Sequence, residues 1–382
     1  MSQPDDLSLF RSEPFLGAVN KFEELVTQSG RIFLIGAGCS KCAGLPLTGE
    51  LTAEVLKNVE LKEESKIILK KIQSLFDGAT SANIEDYLSE IIDLIAIAER
   101  RRDRSAKKTA VEFHGETFEL NQLSEVADQV KRAIVAVIEK DVSIDTHRRF
   151  IKTVHQPLRP NKYAQNQGVD YLVLNYDTLF EDALALEKLS FADGLEGGMT
   201  GWWNLAAFSK SGLEARVYKL HGSITWYEVE GDPLPRRLSK NLGAFATKDK
   251  HVVIWPASVK YRETQKDPYA QLAGLARSVL RPVGDSQKVL VACGYSFNDL
   301  HINAEIDRAL KESKGNLTVV AFSSESQPVG QLKAWHESDA VKNQVLIFSN
   351  RGFFHGDVIH VSKEDLLWWK FENLTRLLGG ER

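Results

Sequence analysis

Seven short runs rich in aliphatic and β-branched residues punctuate the chain, and their pattern predicts buried strands. They are Arg31–Ile35, Asp170–Leu174, Arg216–Leu220, His251–Trp255, Lys288–Ala292, Asn316–Ala321 and Val345–Phe348. Several are nearly continuous in apolar residues, as strands of a parallel sheet covered on both faces should be. Helical patterning over Asp177–Leu189 and Asp299–Glu312 falls between some of them. This β/α succession predicts an α/β fold with a doubly wound, mostly parallel sheet.

Between Ile35 and Asp170 the pattern is mostly helical. Ile84, Tyr87, Leu88, Ile91, Ile92 and Ile95 follow a 3.6-residue period behind Asn83, a plausible N-cap. Leu123, Val126, Val130, Ile134 and Val137 repeat the signal. Residues 50–160 therefore read as a helical subdomain inserted into a sheet domain made of residues 1–49 and 161–382. Near the other end, Leu367, Phe371, Leu374 and Leu378 have helical spacing, with Ser362 as a possible cap and Trp368 and Trp369 widening the face. Such a face is expected to be core, with an oligomer contact as the alternative.

Composition adds limits. The 382 residues are 43% hydrophobic and 26% charged, which suits a globular chain. A formal net charge of -4 gives no overall reason to bind nucleic acid, so such contact is expected only indirectly, through a partner. The basic run Arg100–Lys108 reads as a solvated loop, with contact to nucleic acid or a partner's acidic face as the alternative. Three cysteines cannot build a disulfide framework, and Met1–Asp6 is polar, unlike a signal peptide. The longest apolar stretches are too short to cross a bilayer. A cytoplasmic location without membrane contact is expected.

The chemistry-bearing residues sit at predicted strand ends. Gly36-Ala37-Gly38 follows the first strand, Asn175-Tyr176-Asp177 the second, and His221 the third. Glycines there allow a tight turn and close approach of a phosphate to a helix N-terminus. The dinucleotide fingerprint fails at its third glycine, where Lys41 stands, and no Gly-Lys-Ser/Thr follows as a P-loop would need. Cleaving a glycosidic bond to a cationic leaving group needs dipoles beside developing positive charge, which an asparagine oxygen can supply. A histidine can accept a proton near neutral pH. The blander readings are a His221 satisfied by backbone and an Asx-type turn at Asn175 and Asp177 that caps the next helix.

Gly36-Ala-Gly-Cys-Ser40 with Ala43-Gly-Leu-Pro46, then Leu174-Asn-Tyr-Asp-Thr178, then Leu220-His-Gly-Ser223, then Gly294-Tyr-Ser-Phe297 together resemble, in order, the signatures of the sirtuin family. The second string is similar to the variant found in bacterial sirtuin-like defence proteins. The resemblance implies a Rossmann-like sirtuin sheet and NAD as substrate. It implies that Gly36, Ala37, Gly38 and Ser40 contact the NAD phosphates. By the same resemblance Asn175 orients the nicotinamide ribose, Asp177 binds the nicotinamide carboxamide, and His221 is the general base. Gly294 and Ser296 would line the adenine-ribose end.

Departures from the family pattern shape the expected activity. Deacylases of the family carry a four-cysteine zinc module, but this chain has only Cys39, Cys42 and Cys293, so no zinc is expected. Leu47-Thr-Gly-Glu50 stands where deacylases usually have Asp-Phe-Arg. The resemblance then implies NAD hydrolysis by water, giving nicotinamide and ADP-ribose, in the setting of anti-phage defence by NAD depletion. It further implies self-assembly and a regulatory partner such as a HerA-type ATPase or an Argonaute-like protein. The alternatives are a deacylase or ADP-ribosyltransferase using the same bond cleavage, and a non-catalytic NAD or ADP-ribose sensor. His114, His147, His155, His301, His336 and His355 show no metal-ligand spacing and read as ordinary residues.

Overall fold

The computed structural model describes residues 5–27, 30–76, 82–155, 168–239, 246–253 and 267–381. Nine strands form one sheet: β1 (Arg31–Ile35), β2 (Val169–Val173), β3 (Phe191–Ala192), β4 (Ala215–Lys219), β5 (Lys288–Cys293), β6 (Leu317–Ser323), β7 (Val345–Ser349), β8 (Gly352–His355) and β9 (Val358–Val361). Their spatial order is β9-β8-β7-β6-β5-β1-β2-β4-β3. From β7 to β3 every pairing is parallel, and β8 and β9 add an antiparallel edge. The fold is α/β with a parallel-dominated, doubly wound sheet, as the strand pattern predicts.

The described helices are α1 (Leu16–Val26), α2 (Gly38–Lys41), α3 (Thr48–Leu56), α4 (Glu63–Ser74), α5 (Ile84–Asp103), α6 (Leu120–Ile138), α7 (Asp145–His155), α8 (Leu179–Leu186), α9 (Tyr269–Leu280), α10 (Leu300–Glu312), α11 (Gly330–Glu337) and α12 (Phe371–Leu378). Alternate strand residues feed opposite faces of the sheet. Phe33, Tyr171 and Val291 pack with Phe22 of α1, Phe150 of α7, Phe180 of α8 and Phe371 of α12. Leu34, Leu172 and Leu290 pack with Leu272 of α9, Ile306 of α10 and Trp335 of α11. Burial on both faces explains why these strands lack a polar alternation.

A third core joins α3 to α6 through Val55, Ile72, Leu88, Ile91, Val130 and Ile134, and Ala43, Leu45, Tyr176 and Leu179 close it on the sheet side. Asn83 caps α5 as expected: its Oδ1 accepts from the Glu85 amide at 2.8 Å, while Asp86 Oδ2 accepts from the Asn83 amide at 2.8 Å. The basic run forms the last turn of α5 and the exposed segment after it.

Two expectations need correction. The run His251–Trp255 is not a strand of the parallel sheet. Its described part belongs to the strand Ala246–Val253, which pairs antiparallel with Gly222–Val229 in a separate five-stranded sheet, and residues 254 and 255 lie outside the described residues. Periodicity cannot name a strand's neighbour; here β4 runs on through His221 into Gly222–Val229, which offers the nearest edge. Likewise Ser362 does not cap the last helix. Leu367–Trp369 is a 3-10 turn and α12 begins at Phe371, because the buried Trp368 indole must reach the Ser349 carbonyl at 2.8 Å. The apolar face itself is core, with Trp368, Phe371, Leu374 and Leu378 all buried. No helix among the described residues is long and apolar enough to cross a membrane.

The sheet core also sets a pH response. Burial lowers His147, between Phe180 and Phe371, to about 4, with the nearby Asp177 acting in the opposite sense. Burial, helped by Arg31, lowers His155 to about 4 as well. A base whose folded pKa is depressed takes up protons first in the unfolded chain, so both groups make stability fall as pH drops from 6.5 to about 4. The buried Glu181, raised to about 7 mainly by burial, leans the other way between 4.5 and about 7. The comparison to make is therefore wild type against His147→Leu/His155→Leu in urea melts at pH 7 and pH 5. The variant is expected to lose less stability on acidification, by a difference on the order of a few kcal/mol. Parallel losses in the two proteins would refute this.

Candidate active site

Strand register brings four carboxyl ends level. Ile35 pairs with both Cys293 and Val173, and Val173 pairs with Lys219. The turns after β1, β2, β4 and β5 therefore leave the same edge side by side. The order of connection reverses between β1 and β5, and in open α/β sheets ligands bind at such a switch point.

There the two glycine turns are pressed together. The Gly36 amide donates to the Cys293 carbonyl and the Gly38 amide to the Gly294 carbonyl, each at 2.9 Å. A methyl on Gly36 would stand 2.4 Å from the Gly294 oxygen, and one on Gly38 would stand 2.7 Å from the Gly294 Cα. These glycines are thus required by contact between turns, a reason that sequence reading assigned to a phosphate. The thiols nearby are not activated: burial pushes Cys39 well above its ordinary value and Cys42 up to about 12.

Asn175, Asp177 and His221 are each only 7% exposed. The Asn175 amide nitrogen donates to the Gly36 carbonyl at 3.1 Å and to Ser40 Oγ at 2.7 Å. Those bonds fix which way the amide faces and leave its carbonyl oxygen for a ligand. Ser40 Oγ in turn donates to Asp177 Oδ2 at 2.7 Å. Asp177 Oδ1 accepts from the Leu179 amide at 3.1 Å, so the Asx-type cap foreseen as the bland reading is present. Ser40 is therefore a strut between Asn175 and Asp177, besides lining the cleft.

Beneath this turn lies a buried cation. Lys219 is fully buried and has the strand parity of Ala215 and Val217, which places it under α8. Its Nζ donates to the Asp177 carbonyl and sits 3.2 Å from Glu181 Oε1.

His221 occupies the junction of β4 and Gly222–Val229, with Gly222 in the left-handed region at φ +89°. Its Nε2 is 3.2 Å from Asp299 Oδ2, and the other oxygen of Asp299 is 2.6 Å from His301 Nδ1. Among the described residues this trio is the one group of three His, Cys, Asp or Glu with ligand atoms close enough to share a metal ion. Each Asp299 oxygen lies within ion-pair distance of an imidazole nitrogen.

One cleft of about 1650 Å³ is lined by Gly36, Ala37, Gly38, Ser40, Asn175, Asp177, His221, Gly294 and Ser296, every residue singled out from sequence. That exceeds the roughly 300–1,000 Å³ of ordinary small-molecule sites, leaving room for an extended ligand. Glu85 and Asp86 of α5 line the opposite wall, and Tyr176 Oη donates to Glu85 Oε1 at 3.2 Å across to it. Sequence reading missed Asp299, His301, Lys219 and Glu181. His301, set aside as ordinary, lies in the cleft; the signal that could have found it is its position two residues after an aspartate behind the Gly294 turn.

Residues 170–343, less than half of the chain, match the family model described as SIR2-like domain, so this portion of the fold is sirtuin-like. No curated protein matches the chain. A solved structure described as a mutant Sir2 homologue in complex with ADP-ribose is 11% identical, with 95% of this chain and 96% of that chain covered, at a TM-score of 0.38. So loose a similarity adds nothing to the description of the site.

Proposed function

We propose that the cleft binds NAD and hydrolyses its nicotinamide–ribose bond, yielding nicotinamide and ADP-ribose. The observation that carries this reading is the convergence of Asn175, Asp177 and His221 on one cleft beside two glycine turns. The glycine turn and α2 take the phosphates, and Asp177 takes the carboxamide. The Asn175 oxygen faces the sugar carbon as positive charge develops there. Water then bonds to that carbon and His221 accepts its proton.

Replacing His221 by alanine is expected to lower nicotinamide release by about 10²–10⁴-fold while NAD binding persists. Asn175→Ala is expected to behave alike. Calorimetric binding and chromatographic assay of nicotinamide separate the two effects. Undiminished hydrolysis by His221→Ala would remove the mechanism.

On the sirtuin resemblance, we read the chain as the effector of a bacterial anti-phage system that acts by NAD depletion. In this reading it self-assembles and is held at low resting activity by a partner such as a HerA-type ATPase. High turnover by the purified chain alone would sink that extension and leave the chemistry intact.

A further inference from the structure

Asp299 is the N-cap of α10, a position where an aspartate normally accepts the free amides of the first turn, worth about 1 kcal/mol. Here it makes no side-chain cap bond. Its two oxygens lie beside His221 Nε2 and His301 Nδ1, at 3.2 and 2.6 Å. The loop that aims it is built for the purpose. Gly294 and Phe297 both adopt left-handed backbone, at φ +59° and +58°, costly for a phenylalanine. The buried Asn303 of α10 holds the loop in that shape. It donates to the Phe297 carbonyl at 2.6 Å and accepts from Tyr295 Oη at 3.0 Å, and the same hydroxyl lies 3.2 Å from the Asp299 carbonyl. A lost cap and a strained turn are the costs of placing one carboxylate against one imidazole.

We propose that Asp299 is the positioning residue of His221. It accepts the Nε2–H, so the neutral ring carries its lone pair on Nδ1. When Nδ1 takes a proton from water or a ribose hydroxyl, the carboxylate stabilises the imidazolium and itself stays ionised. His301, on the second oxygen, holds the carboxylate in plane. This assignment rests on the NAD-cleaving reading for its kinetic consequence and on geometry alone for its tautomer. Among the described residues, the other titratable and charged groups around the trio include Tyr176 and Asp177 after β2, Tyr269 and Arg277 of α9, Tyr295 beside the loop and Glu305 of α10.

The test compares wild type, Asp299→Asn, Asp299→Glu and His301→Gln in the full chain. In the Asn variant kcat is expected to fall about 100-fold, with KM within about two-fold. Its acid limb should move to lower pH, because a neutral amide no longer favours the imidazolium. Asp299→Glu should restore part of the rate. Nitrogen-15 spectra of the histidines, with His221→Ala for assignment, should show the Nε2–H tautomer of His221 in wild type and a mixture in Asp299→Asn. A fall in rate with neither the pH limb nor the tautomer moving would reduce Asp299 to a structural part and overturn the proposal. So would a His221 resonance showing a metal-bound ring on addition of Zn²⁺ that is lost in His301→Gln. If wild type cleaves no NAD, the tautomer still decides the role of Asp299, and only the functional reading fails.

Discussion

Replacing Lys219 by alanine is expected to cost about 3–5 kcal/mol of stability, the penalty for leaving a buried carboxylate without its cation. Lys219 and Glu181 face each other at 3.2 Å in the sheet core, with side chains 1% and 11% exposed. Glu181 is held up to about 7 by burial, and Lys219 is the main force lowering it. Without that charge the carboxyl is raised further and keeps its proton to higher pH. The substitution also removes the donor to the Asp177 carbonyl, so the turn carrying Asn175 and Asp177 loosens. Nicotinamide release should therefore drop along with the urea midpoint. The double variant Lys219→Met/Glu181→Leu should regain most of the stability, since apolar groups of similar volume substitute well for buried pairs. It should regain less of the activity, because the bond to Asp177 stays lost. A double variant no more stable than Lys219→Ala would show that the pair is not the source of the loss.

Gly294→Ala is expected to be at least as damaging. The residue has φ +59°, and its added methyl would lie 2.4 Å from the Cys39 amide nitrogen and 2.7 Å from the Gly38 carbonyl carbon. Those are backbone atoms of the opposite turn, with no flexible side chain to give way. The two turns must part, taking Gly36 and Gly38 out of register with the cleft. We expect a loss of several kcal/mol together with loss of NAD binding. Gly274→Ala is the contrasting substitution. It lies exposed within α9 with nothing within 4 Å of the new methyl, and should gain up to about 1 kcal/mol from helix propensity. Calorimetric melts and NAD titrations of both variants decide the matter; equal behaviour would mean that the turn–turn contact is unimportant.

Much of the architecture was legible in the residues. Six apolar runs became adjacent strands of the main sheet because uninterrupted Val, Ile and Leu can be buried on both faces only between two helical layers. The Asn83 cap was readable because a capping box is local, spanning four residues. The nine residues singled out at strand ends line one cleft because parallel strands in register deliver their carboxyl ends to one edge.

What sequence could not supply were partners across space. Nothing local distinguishes Lys219 from an exposed strand-end lysine, since its burial follows from which helix covers β4. Asp299 carries the pattern of an ordinary N-cap, and only the packing of α10 beside His221 turns it toward an imidazole. Gly294 pairs with Gly36 because β5 and β1 are neighbours, a fact absent from either string. The chain alone therefore determined the kind of layers and the edge at which chemistry collects, since periodicity and caps act over a few residues. Tertiary structure decided which charges are buried, which turns touch and which carboxylate faces the histidine, because those depend on contacts between segments far apart in the chain.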